Sequence, residues 1–93
     1  MQISCVITDD EPMARKGLKS YVEKVDFLTL TGICEDAMQL NTLLKKEQPD
    51  LLFLDVELPD MRGMDLLDSI RESLTWGMKV VFYTAYDKYM MSA

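Results

Sequence analysis

The run Leu51-Leu52-Phe53-Leu54, closed by Asp55, constrains the fold more than any other part of the chain. Four apolar residues in a row leave a strand no polar face to turn toward water. Such a strand is expected to be covered on both sides, which is the habit of parallel sheets layered between helices. Parallel neighbours cannot be joined by tight hairpins, so each connection needs a crossover, usually a helix.

The flanking sequence supplies that alternation. "ISCVITDD" is a β-branched run closed by acids and reads as a buried strand. In "EPMARKGLKSYVEKV", Ala14, Leu18, Tyr21, Val22 and Val25 form a helical stripe. Pro12 suits its first turn, with Asp10 or Glu11 near the N-cap. "FLTLTGIC" is a second strand, weakened by Gly32, and "EDAMQLNTLLKKEQP" places Ala37, Leu40, Leu43 and Leu44 on one helical face. After the central strand and its Pro-Asp-Gly turn, Met64, Leu67, Ile70 and Leu74 mark a third helix. "KVVFYT" is a fourth strand, and "AYDKYMMSA" reads as the start of a fourth helix. The order β-α-β-α-β-α-β predicts a doubly wound, flavodoxin-like parallel sheet in the order 2-1-3-4. Right-handed crossovers put helices two and three on one face and helix one on the other.

Composition narrows the function. A chain of 93 residues is at most one domain, and its net charge of −6 excludes a non-specific binder of phosphate backbones. Two cysteines, Cys5 and Cys34, and no histidine make neither a disulfide framework nor a zinc site. Buried, reduced thiols and the lack of a secretory or membrane-spanning pattern predict a cytoplasmic protein.

Three strands end in polar groups: Asp9-Asp10, Asp55 and Thr84. In doubly wound sheets, ligands bind at the carboxyl ends of strands, where the chain order reverses. Neighbouring strands lie roughly 4.8 Å apart, so the three acids can reach one small ion. Carboxylates so crowded repel one another, and a hard divalent cation such as Mg2+ relieves that cost. A carboxylate is also a competent nucleophile toward phosphorus, and Asp55, on the middle strand, is the candidate. Each residue has a plainer reading beside this one. Asp9-Asp10 can be an N-cap pair, Asp55 a polar strand terminator, and Thr84 a strand-end hydroxyl capping a helix. Asp60 and Asp65 read as turn and first-turn residues. Tyr86 can either shield a phosphoryl group or pack on its loop.

With "ITDDEP", "DLLFLDVELPDMRGMDLL" and "VVFYTAYDKY" in this order and spacing, the sequence resembles the receiver domain of two-component response regulators. The likeness is strongest to receivers that precede LytTR-type DNA-binding domains. The resemblance implies that Asp55 accepts a phosphoryl group from a sensor histidine kinase. It implies Mg2+ held by Asp10, Asp55 and the main-chain carbonyl of Glu57, with Asp9 assisting directly or through water. Thr84 would hydrogen-bond the phosphoryl oxygen and act as the switch, while Pro59 and Gly63 shape the turn. It further implies that residues 1–93 form a receiver domain incomplete at its C-terminus, short of the family's fifth strand, lysine and fifth helix. Sheet surface and the edge of strand four would then be open to a homodimer, and DNA would be reached only through an absent effector domain. The implied role is a switch in transcription regulation, not a turnover enzyme. The alternatives are an aspartyl-nucleophile phosphohydrolase, with Glu57 two residues after the nucleophile, and a structural pseudo-receiver without metal.

Overall fold

A computed structural model of the chain describes residues 2–71 and 77–83. Its elements run β1 (Ile3–Thr8), α1 (Pro12–Glu23), β2 (Leu28–Cys34), α2 (Ala37–Leu44), β3 (Leu51–Asp55), α3 (Gly63–Arg71) and β4 (Lys79–Tyr83). The strands are all parallel and lie in the order β2-β1-β3-β4, as the alternation predicts. Leu74 and the expected fourth helix fall outside the described residues, as do Thr84 and Tyr86.

Two apolar layers hold the sheet. Val6, Leu52 and Leu54 pack under α2 and α3 against Leu40, Leu66 and Ile70. On the other face Cys5 and Ile7 pack against Val22 and Leu18 of α1. This is the distribution of helices that right-handed crossovers require. The free thiols of Cys5 and Cys34 belong to opposite layers, and burial pushes both pKa values up. They are packing residues, poor in thiolate.

Three expectations need correction. The central strand is not covered equally on both sides: Leu52 and Leu54 are fully buried, whereas Leu51 and Phe53 are only partly so. The cause is the position of α1, which packs over β1 and β2 and leaves the β3–β4 side of that face more open. The stripe on α1 holds at Ala14, Leu18 and Val22 but not at Tyr21, which is 72% exposed, and Val25 lies past the helix end. Arg15, Leu18 and Val22 form the inward edge at i, i+3 and i+7. In α3 the buried line is Gly63, Leu66 and Ile70, and Met64 faces water. Gly63 sets that rotation by packing directly on the backbone of Asp55 and Val56.

Helix α2 shows how the loops are tied. Asp36 accepts a hydrogen bond from the Gln39 N–H at 2.8 Å, a side-chain N-cap. The Asp60 carboxylate, from the loop after β3, accepts from the Ala37 N–H at 3.0 Å and the Met38 N–H at 3.2 Å. Gly32 of β2 gives α2 room, since a Cβ there would meet Leu43 Cδ1 at 2.5 Å. The glycine that weakens the strand pattern is thus a point of close helix approach.

Candidate metal centre

The strand register brings the acids together. Thr8 pairs with Leu54 and Asp55 with Tyr83, so β1, β3 and β4 end level with one another. Asp9 follows Thr8 and stands beside Asp55 on the shared rim. Oxygens of Asp9, Asp10 and Asp55 lie within 4.8 Å of one another. Asp9 and Asp55 are buried, and Asp10 is exposed at the mouth.

The same device fixes both buried acids. Asp9 Oδ1 accepts from the Glu11 N–H at 2.8 Å, and Asp55 Oδ1 accepts from the Glu57 N–H at 3.0 Å. Each is an Asx turn, in which a carboxylate binds the backbone two residues on and holds its own rotamer. The plain N-cap reading of Asp9 does not hold, because the N-cap of α1 is Glu11 and no side chain caps it; Asp9 instead binds the Glu11 N–H just before the helix. Its other oxygen, Oδ2, is buried and makes no hydrogen bond among the described residues. A buried carboxylate oxygen without a partner is costly, and a cation is a natural partner for one on a residue that clusters with two further acids.

Electrostatics point the same way. Burial raises the Asp55 pKa to about 6. The Glu57 N–H opposes that rise, and the charges of Asp9 and Asp10 add to it. At this spacing each ionised pair repels by on the order of 3 kcal/mol at an effective dielectric constant of about 20. The donor set is entirely oxygen, compact and anionic, which fits a hard divalent cation and not a soft metal.

Three nearby residues escape a reading of the sequence. Arg15 Nη1 donates to the Asp9 carbonyl at 2.8 Å, and Nη2 lies 3.6 Å from Glu35. Its signal is a cation at helical spacing from Leu18 and Val22. Tyr83 sits beside the acids with its hydroxyl 3.5 Å from the Thr8 carbonyl, and burial followed by Asp9 pushes its pKa up. The third is Asp60, whose partners are 23 and 22 residues away and carry no local signal. Asp65 does occupy the first turn of α3, 3.4 Å from Arg62. Thr84 lies outside the described residues, next in sequence after Tyr83.

A doubly wound sheet with an acid triad at the carboxyl ends of its central strands defines a class of phosphate-handling and metal-binding domains. Comparison with known proteins gives the family: the response regulator receiver domain matches residues 5–93, and the chain belongs to that family. Its members are phosphoacceptor signalling domains. The chain is 31% identical over 91 residues to the transcriptional regulatory protein BtsR of Escherichia coli (strain K12), covering 98% of this chain and 37% of BtsR. It is 35% identical over 77 residues to the nitrate/nitrite response regulator protein NarL of the same strain, covering 83% of this chain and 36% of NarL. It thus spans under two fifths of these curated relatives. Among solved structures, the MaeR response regulator bound to beryllium trifluoride superposes with a TM-score of 0.81 at 27% identity, covering 91% of this chain and 68% of that one. Among the described residues, no helix is long and apolar enough to cross a membrane.

Proposed function

We propose that Asp55 is the phosphoacceptor, and that Asp9, Asp10, Asp55 and the main-chain carbonyl of Glu57 hold Mg2+. The observation that carries this reading is a buried Asp55 with one oxygen pinned by the Glu57 N–H and two other acids within 4.8 Å. The bond to Glu57 orients the carboxylate, so its second oxygen is the one available for attack. That oxygen forms a P–O bond as the P–N bond of a phosphohistidine donor breaks, and the electron pair returns to the departing imidazole. Bound Mg2+ supplies charge neutralisation for the acids and the phosphoryl oxygens. Arg15 and the two Asx turns keep the acids in place throughout. Thr84, one residue beyond β4, is assigned the phosphoryl hydrogen bond and the switch.

The donor is a sensor histidine kinase, and residues 1–93 act as the receiver part of a longer transcriptional regulator. The three motifs favour a parent in which a LytTR-type DNA-binding domain follows. MaeR, a relative in fold and sequence, is seen with beryllium trifluoride bound, which supports an anion site of this kind. Incubation with Mg2+ and acetyl phosphate is expected to add one phosphoryl mass to the intact protein. The adduct should be absent in Asp55→Asn and in chelator; its persistence in Asp55→Asn would move the acceptor elsewhere.

Self-association is part of the same proposal. Val81 is 43% exposed and Phe53 only half-buried on the α1 side, and β4 is the outer strand among the described residues. A second copy covering this surface should give a concentration-dependent rise in molecular mass by light scattering. Val81→Lys should suppress it, and a monomer at every concentration would count against it.

A further inference from the structure

The segment from Val56 to Gly63 is a small closed hairpin. Gly63 N donates to the Val56 carbonyl at 2.7 Å, Leu58 N donates to the Met61 carbonyl at 3.2 Å, and Glu57 and Arg62 pair as an antiparallel bridge. Its base is Asp55 and its strand carries the Glu57 N–H that holds the Asp55 carboxylate. At its tip Asp60 binds two backbone N–H groups of α2. Leu58 and Met61 also seat the hairpin in the apolar layer below. Apolar burial is non-directional, so it sets the depth of the hairpin and leaves its tilt free. The two hydrogen bonds that Asp60 accepts add a directional tie at the tip.

We infer that Asp60 is a positioning residue of the acid site: by latching the hairpin tip to the N-terminus of α2 it fixes the Glu57 backbone against Asp55. The inference rests on the proposed Mg2+ and phosphoryl role for its consequence, but the latch itself is a property of the metal-free fold. A carboxylate at a helix N-terminus is also favoured by the helix dipole, so the contact is stable without any ligand. It has a bland competitor, in which Asp60 is only a cap for α2. Asp36 separates the two readings, because it caps the same helix at the Gln39 N–H and has no bond to the hairpin.

The test compares Asp60→Ala, Asp60→Asn and Asp36→Ala in the full chain. Both alanine variants should lower the melting temperature by similar amounts, since each removes an acceptor for N–H groups at the start of α2. In metal-free protein, amide hydrogen exchange at Glu57 should accelerate about tenfold in Asp60→Ala and stay unchanged in Asp36→Ala. Mg2+ affinity, measured by calorimetry, should fall about tenfold in Asp60→Ala and less than twofold in Asp36→Ala, the range seen when a group supporting a metal ligand is lost. Asp60→Asn keeps one acceptor oxygen and should fall between wild type and Asp60→Ala, which keeps the comparison usable if the alanine variant does not fold. Equal effects of the Asp60 and Asp36 variants on Glu57 exchange would overturn the latch. Wild-type protein that takes up no Mg2+ would overturn the proposed function instead, and the exchange comparison would still decide the latch.

Discussion

Asp55→Asn is expected to make the metal-free protein more stable at neutral pH and to remove its response to Mg2+. The folded pKa of Asp55 is raised from 3.8 to about 6, with burial the largest cause. The native state therefore holds this proton more tightly than the unfolded chain does. The resulting stability is fully present below about pH 4 and is lost as the pH rises through about 6. A rise of that size corresponds to about 3 kcal/mol, which the open mouth at Asp10 reduces to about 1–2 kcal/mol. Asparagine keeps the acceptor for the Glu57 N–H while discarding the charge. In chelator, urea denaturation of the wild type should show stability falling between about pH 4 and 6, and Asp55→Asn should be flat across that window. At pH 7 the variant should be ahead by about 1–2 kcal/mol. Mg2+ at a hundred times its dissociation constant should return about 2.7 kcal/mol to the wild type and nothing to the variant. A variant that is less stable than wild type, or equally responsive to Mg2+, would count against both the burial argument and the ligand assignment.

Much of this architecture is legible in the sequence because it depends on local pattern. The continuous run at Leu51–Leu54 and the acids closing two strands follow from strand periodicity and from where polar groups can end a buried segment. The convergence of Asp9, Asp10 and Asp55 needs only the order 2-1-3-4 and the strand spacing. What escapes depends on rotation and on distance along the chain. A helical stripe read from hydrophobicity fixes a face to within about one residue, and that margin separates Gly63, buried, from Met64, exposed, and Leu66, buried, from Leu67, half-buried. The deciding contact is steric, between Gly63 and the backbone of β3, and hydrophobicity does not report it. Asp60 reads as a turn residue because its hydrogen-bond partners lie on a helix far back in the chain. Arg15 has the look of an ordinary surface charge, although its guanidinium reaches back to the Asp9 carbonyl.

Gly63→Ala should be the most damaging of the three alanine substitutions at described helix or strand glycines, and the site should fail with it. A Cβ at Gly63 would lie 2.5 Å from the Asp55 carbonyl oxygen and 3.1 Å from Val56 Cα, both backbone atoms that cannot rotate away. At Gly32 the obstacle is Leu43 Cδ1, the far end of a flexible side chain. At Gly17, inside α1, nothing lies within 4 Å. None of these glycines has positive φ, so sterics alone rank them. Gly17→Ala should stabilise by about 0.5–1 kcal/mol, from helix propensity and reduced unfolded-state entropy. Gly32→Ala should cost about 1 kcal/mol as Leu43 repacks, and Gly63→Ala about 2–4 kcal/mol, because α3 must lift off β3. The atom it presses on is the carbonyl oxygen of Asp55 itself, so Mg2+ affinity should fall with stability at Gly63 and be spared at Gly32 and Gly17. Denaturant titration and calorimetry on the three variants give both numbers. If Gly63→Ala matched Gly32→Ala in either, the close packing of α3 on β3 would not be what aligns the acids.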